Sequence, residues 1–331
     1  MAGLQTYFEK FHEAIRIDYD TSAELCEKRD IVLSRIRSHL KDNGRPAFTQ
    51  LLQGSYAMKT GVKPMSGVDL EYDIDIGLRF GINSQEHDAA TARSWVVEAV
   101  KGHTKSVEEK RPCIRVNYQK GYHLDLVVYA YQQEDSGEEL FKLAHKTEGW
   151  RAADPPALLN YFNEAREPFD GLTDAQTKTD QFRRIVRYLK RWDDVAIPRE
   201  SESKPSGLAY VLLCAHLLSP RQDVDGRPDD RYALEQLANR AGKNAGRIVE
   251  AKPTPEHEDL FGRLSDQDMD SLKSRFRRLA ECLREADAQP DPVEACKALR
   301  YVFGSDFPVP DPEETAQKTK SPAIVTSSSQ A

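Results

Sequence analysis

The run Tyr72-Asp73-Ile74-Asp75-Ile76 constrains the fold more than any other stretch of the chain. Leu70, Tyr72, Ile74, Ile76 and Leu78 fall on one side of a period of two, and Asp69, Glu71, Asp73 and Asp75 on the other. Successive side chains of a strand point to opposite faces, so residues 69 to 80 predict a strand with one apolar and one acidic face. Two aspartates two residues apart share a face, with Cα atoms about 6.5 Å apart. Side chains at that spacing can converge on a pair of metal ions about 3.5–4 Å apart. Magnesium is a hard cation that prefers oxygen ligands, so aspartates suit it. Alternating acids on a half-exposed strand can also simply face water, and for Asp69 and Glu71 that is the expected outcome.

A second strand, His123-Leu124-Asp125-Leu126-Val127-Val128, sets one carboxylate in an otherwise apolar run. An unpaired carboxylate is expensive to bury. A third metal ligand on a neighbouring strand would explain Asp125. His123 shares its face and is expected to be a hydrogen-bonded strand residue rather than a ligand.

Upstream lies Gln53-Gly54-Ser55-Tyr56-Ala57-Met58-Lys59-Thr60, where a strand over 47–53 runs into a Gly-Ser turn and a short helix. Gly54 lets the backbone approach a phosphate closely. Ser55 and the first helical N–H groups can donate to phosphate oxygens. A Gly-Ser pair alone is a turn. Its weight comes from order: Asp73 follows Ser55 by 18 residues, and a third aspartate comes on a later strand.

The remaining pattern predicts helices over 4–15, 20–41 and 87–102. Strands are expected over 113–118 and 122–131, joined at Gln119-Lys120-Gly121, with a short one over 140–143. Beyond residue 150 helical spacing dominates, over 155–166, 176–194, 206–218, 229–241, 266–287 and 291–303. The expected fold class is α+β. Residues 1–150 form a mixed sheet with N-terminal helices, residues 151–304 form a helical domain, and the ligand cleft lies between them. Residues 305–331 carry four prolines and a Ser-Ser-Ser run and are expected to be a flexible tail. Within the helix over 182–194, Phe182, Ile185, Val186, Leu189 and Trp192 form an apolar face. Arg183 and Arg187 border it and are expected to be solvated, with Lys190 lying along the domain surface.

Composition narrows the function classes. A third of the 331 residues are charged, and no stretch approaches the run of about 20 apolar residues that spans a bilayer. The first residues lack the basic and apolar regions of a secretory signal, which points to a cytoplasmic chain with no membrane association. Five scattered cysteines without C-x2-C spacing predict buried free thiols and no zinc. A net charge of −7 argues against a broad nucleic-acid surface, although one basic pocket suffices for a nucleotide.

Taken in order, Gly-Ser, D-x-D and a distant Asp resemble the DNA polymerase beta-like nucleotidyltransferase superfamily. Within it, the chain resembles the bacterial cyclic-oligonucleotide synthases related to cGAS and DncV, the CD-NTases. The cues are Gln53-Gly54-Ser55-Tyr56, Asp73-Ile74-Asp75-Ile76, Leu124-Asp125-Leu126-Val127, Val186-Arg187-Tyr188-Leu189-Lys190-Arg191-Trp192, Lys204-Pro205-Ser206-Gly207 and Phe303-Gly304-Ser305-Asp306-Phe307-Pro308. They run from about residue 50 to 310.

The resemblance implies a polymerase-beta-like core and a helical domain that completes the NTP pocket. It implies two Mg2+ ions, replaceable by Mn2+, held by Asp73, Asp75 and Asp125, with Asp125 nearest the attacking hydroxyl. It matches Lys190 and Ser206 to triphosphate contacts and leaves Gln53 and Tyr56 as base-contact candidates. The implied product is a cyclic di- or trinucleotide made from ATP, GTP or both, which alerts a downstream effector to phage infection. Ala331 could be a conjugation point for an E1/E2-like partner. The lack of a Cys/His cluster argues against direct activation by DNA. Two alternatives stay open: a linear oligonucleotide synthase or a nucleotidyltransferase that modifies protein or RNA, and a catalytically inactive nucleotide-binding scaffold. The complete set of carboxylates counts against the scaffold.

Overall fold

The alternating acidic stretch is a strand at the middle of one mixed sheet. The computed structural model describes residues 3–17, 23–65, 73–119, 121–133, 139–198 and 201–311, with only the backbone for 23–25 and Asp73. Asp69, Glu71 and Ala331 therefore lie outside the described residues. The strands are β1 (Phe48–Leu52), β2 (Asp73–Phe80), β3 (Ser106–Glu109), β4 (Ile114–Asn117), β5 (His123–Gln133), β6 (Glu139–His145) and β7 (Gly149–Ala153). They are ordered β1-β2-β5-β4-β3, with β6 also pairing β5 and β7 pairing β6. β2 and β5 run parallel; the other pairs are antiparallel. β5 is long enough for β4 and β6 to share its second edge, one after the other. The spacing analysis had no strand at β3 or β7. Ser-Val-Glu-Glu and Gly-Trp-Arg-Ala-Ala lack a clear alternation, and each pairs by lying beside a stronger strand.

The first helices are α1 (Gln5–Ile15), α2 (Ala23–Asp42), α3 (Gly54–Met58) and α4 (Ala89–Val100). α2 and α4 cover one face of the sheet. Val32, Leu33, Ile36 and Leu40 of α2 and Trp95, Val96, Ala99 and Val100 of α4 pack on Ile74, Ile76, Leu78 and Phe80 of β2. Leu124, Leu126, Val128 and Ala130 of β5 complete this core. Every even-numbered side chain from 74 to 80 and from 124 to 130 is thus committed to the helices. The period of two sends Asp75 and Asp125 to the opposite face.

The helical half contains α5 (Pro155–Arg166), a 3-10 segment at Glu167–Leu172, α6 (Gln181–Ala196), α7 (Gly207–Leu217), α8 (Asp230–Gly242), α9 (Asp266–Ala288) and α10 (Pro292–Phe303). Helix starts follow their caps. α6 begins five residues later than its spacing suggested, because the Asp180 carboxylate accepts from the Arg183 N–H at 2.9 Å and sets the first turn there. α6 is the axis of this half, with Phe182, Ile185, Val186, Tyr188 and Leu189 fully buried.

α1 belongs to the same packing although it comes first in the chain. Phe8 and Phe11 lie against Tyr188, Phe303 and Phe307 at centroid separations of 5.0–6.1 Å. The expected flexible tail therefore does not start at 305: Phe307 is completely buried, and the packed chain continues to at least that residue.

Candidate active site

β2 and β5 bring two of the three carboxylates side by side. In their parallel register Asp75 is the partner of Asp125, and Asp73 that of His123. Adjacent strands lie about 4.8 Å apart, so carboxylates at matched positions on one face are close enough to share a cation. Asp125 is 6 % exposed, and its cost of burial is met by an ion pair. Arg115 of β4 binds it with two bonds, Nε to Oδ1 at 2.8 Å and Nη2 to Oδ2 at 2.7 Å. Spacing along the chain does not reveal Arg115; the antiparallel register of β4 with β5 sets it opposite Asp125. Burial, reinforced by the Asp125 carboxylate, pushes the Cys113 thiol up and leaves it an unreactive neighbour. Four of the five cysteines are buried, and Cys26 is half-buried.

The Gly-Ser turn meets Asp75 directly. Gly54 has φ 61°, and a Cβ built there would lie 2.1 Å from Asp75 Oδ2. Only glycine supplies both the left-handed backbone and the missing side chain. Chain order alone suggested a turn near the acids; this contact brings the two together.

Gln53 and Tyr56, the base-contact candidates, are turned elsewhere. The Gln53 amide oxygen accepts from Tyr129 Oη at 3.0 Å, and Tyr56 Oη accepts from Arg29 at 3.0 Å while its ring packs on the α2–α4 side of the sheet. Each has a buried or half-buried partner, and neither is among the residues that line the cleft. Burial and the nearby Asp75 charge push the Tyr129 hydroxyl up, which keeps it a donor.

The helical half closes the other side. A cleft of about 420 Å³ is lined by Gly54, Ser55 and Asp75 from the sheet half, and by Lys190, Ser206 and Lys204 from the helical half. Lys190 of α6 donates to the Thr60 carbonyl at 2.9 Å and to Thr60 Oγ1 at 3.3 Å. It also rests against Gly207, where a Cβ would meet its Cε at 3.0 Å. Ser206 caps α7, its hydroxyl accepting from the Ala209 N–H at 3.2 Å. The cap role and a ligand contact are compatible, because Ser206 also lines the cleft.

Lys204, in the motif Lys204-Pro205-Ser206-Gly207, reaches the cleft as well. Its ammonium lies 3.3 Å from Asp193 and 3.1 Å from Asp194, and this salt-bridged group forms part of the cleft lining. The expectation that Arg183 and Arg187 are solvated is corrected: Arg187 is 3 % exposed, and both donate to backbone carbonyls of residues 58–61. A border position on a helix faces water only if no other element packs there, and here the 58–63 segment does.

Carboxylate oxygens at paired strand positions, beside a turn that a side chain would fill, fit a divalent cation in hardness. Among the described side chains no group of three or more metal-ligating residues comes together. The Asp73 side chain falls outside that description, so Asp75 and Asp125 are the pair on which the fit rests.

The profile described as "Cyclic GMP-AMP synthase DncV-like, nucleotidyltransferase domain" matches residues 47–129, the segment from β1 through most of β5. A c-di-GMP synthase of Roseivirga ehrenbergii is 22 % identical over 193 residues, covering 52 % of this chain and 49 % of that protein. The chain thus spans about half the length of that curated relative. The crystal structure of the Vibrio cholerae DncV cyclic AMP-GMP synthase superposes with a TM-score of 0.72 at 17 % identity, covering 92 % of this chain and 97 % of that one. The Bradyrhizobium diazoefficiens CD-NTase CdnG in complex with GTP gives 0.67 at 18 % identity, covering 92 % and 96 %. These structural likenesses show the fold: a nucleotidyltransferase core joined to a helical domain.

Proposed function

We propose that the chain, which carries a DncV-like nucleotidyltransferase domain at residues 47–129, is a CD-NTase that joins nucleoside triphosphates into a cyclic di- or trinucleotide. The observation that carries this reading is the registered Asp75–Asp125 pair beside Gly54, with Asp75 lining one cleft together with Lys190 and Ser206. Substrates are ATP, GTP or both. The relatives' printed descriptions support that choice, since DncV was crystallised with ATP and GTP and CdnG with GTP. We read the product as a cytoplasmic signal to an antiphage effector.

Asp73, Asp75 and Asp125 would hold two Mg2+ ions. These would supply a more acidic acceptor hydroxyl and charge neutralisation on the departing pyrophosphate. The chain's own groups do the rest. Gly54 lets the backbone come within reach of the triphosphate, and Ser55 donates to it from the sheet side. Lys190 and Ser206 bind it from the helical side, so that the α-phosphate faces the acids. Asp125, oriented by the two-bond Arg115 contact, receives the proton of the attacking ribose hydroxyl at a carboxylate oxygen. The new bond joins that oxygen to the α-phosphorus, the α–β bridge breaks, and pyrophosphate leaves. A second transfer in the same pocket closes the ring.

The test is one incubation of purified protein with four NTPs and Mg2+, then phosphatase, then mass spectrometry. Cyclic products survive phosphatase. Linear oligomers would lose their terminal phosphates, and such phosphatase-sensitive products instead would favour the linear-synthase alternative. Asp75→Ala should reduce turnover at least a hundredfold while circular dichroism stays native, because the loss removes a charge the reaction needs. Near-normal activity in that variant would remove the acids from the mechanism.

A further inference from the structure

The cations of α6 form a ladder on the carbonyls of residues 58–63, which begin at the last residue of α3. Arg183 Nε donates to the Met58 carbonyl at 2.9 Å, and Arg187 Nη2 to Lys59 at 2.6 Å. Lys190 reaches Thr60 at 2.9 Å, Arg187 Nε reaches Gly61 at 3.0 Å, and Arg191 Nη2 reaches Lys63 at 2.7 Å. Positions 183, 187, 190 and 191 are spaced i, i+4, i+7 and i+8, one stripe of a helix. Five carbonyls of a six-residue stretch are thus bound by four cations of a single helix.

Secondary-structure formation alone does not ask for this. Lys59 sits at φ 54°, a left-handed conformation that costs a non-glycine residue about 1 kcal/mol or more. That turn ends α3 and aims the Lys59 carbonyl at Arg187. The other side of the segment is tied to α1: the Lys63 N–H donates to the Ile15 carbonyl at 2.7 Å. Arg187 reaches α1 as well, its Nη1 lying 2.8 Å from His12 Nε2. Thr60 and Gly61 are buried and line the cleft next to Ser55.

We infer that Arg187 is a positioning residue for nucleotide binding. It binds the carbonyls on both sides of Thr60, so it fixes a residue that holds the Lys190 ammonium, and with it the span between Lys190 and the Gly54-Ser55 turn. That span is the width into which a triphosphate must fit. Arg183 and Arg191 extend the same alignment to the ends of the segment. A guanidinium does this because its rigid fork can address two carbonyls at once; a lysine in its place has one ammonium for both. The inference rests on the reading of Lys190 as a triphosphate contact.

The experiment compares wild type, Arg187→Lys, Arg183→Gln and Lys190→Ala in the full chain. Affinity for a non-hydrolysable GTP analogue with Mg2+ is measured by calorimetry. Hydrogen exchange is read at residues 59–63, and kcat at saturating nucleotide. Arg187→Lys should weaken binding about tenfold, speed exchange across 59–63, and keep kcat within about threefold, as expected when ground state and transition state lose the same contact. Arg183→Gln, which loosens only the Met58 end, should weaken binding about threefold and serves if Arg187→Lys does not fold. Faster exchange with unchanged affinity would make the ladder purely structural and overturn the inference. Unchanged exchange would overturn it too. If Lys190→Ala binds nucleotide normally, the phosphate reading of the cleft falls first, and this inference with it.

Discussion

Charge at individual residues is decided by what surrounds them. His12 is fully buried, and burial together with Arg187 lowers its pKa to about 2. The neutral ring can then accept the Arg187 proton at Nε2. An unfolded chain titrates the same imidazole near 6.5. Below that pH the unfolded state takes up a proton that the folded state refuses, so stability is fully present above pH 6.5 and is lost as pH falls toward 2. The slope is about 1.4 kcal/mol per pH unit. His12→Gln keeps an acceptor for Arg187 but does not titrate. It should cost about 1 kcal/mol at pH 8, and the gap to wild type should narrow or reverse at pH 5. Chemical denaturation at the two pH values measures this, and a gap independent of pH would show that His12 is not held neutral.

Between elements, buried ion pairs do what apolar faces cannot, which is fix one orientation. Arg184 of α6 grips Asp230 at the start of α8 with bonds of 2.7 and 2.8 Å, and both side chains are completely buried. Tyr188 adds a third bond to the same carboxylate at 3.1 Å while burial pushes its own hydroxyl up. Asp230→Ala leaves the guanidinium without its counter-charge. It should lower unfolding free energy by about 3–5 kcal/mol, read from the urea midpoint; a loss under 1 kcal/mol would mean that water or another acid replaces Asp230. The same helix carries the carbonyl ladder on its other side, so α6 links the packing of the helical half to the shape of the cleft.

At the scale of the whole molecule, the helical half is closed by segments far apart in the chain. α1 and residues 305–307 sandwich aromatic rings against α6. Arg300 Nε donates to the Phe307 carbonyl at 2.8 Å, and Arg191 pairs with Asp306 at 3.2 Å. A chain ending at Gly304 should therefore be less stable than one ending at Asp311 by about 3–5 kcal/mol, the cost of emptying a buried phenylalanine site. Equal melting temperatures for the two truncations would show that Phe307 contributes nothing. No described helix is long and apolar enough to cross a membrane.

What the sequence determined by itself was local and periodic. Alternation over 73–80 and 123–130 settled which face of the sheet would be apolar, since a strand allows only two faces and burial selects one. The Ser206 cap set where α7 begins, whereas the start of α6 was not legible from spacing. The order of Gly54, Asp75 and Asp125 named a candidate site without its geometry. Only the tertiary structure decided which neighbours those residues meet. The parallel register pairs Asp75 with Asp125, Arg115 arrives from β4, and Gln53 turns toward Tyr129 instead of the cleft. Arg183 and Arg187 become ligands of a loop more than a hundred residues upstream in the chain. Periodicity tells a side chain which way to point, but its partner comes from another element, and that is a long-range choice made by packing the whole core.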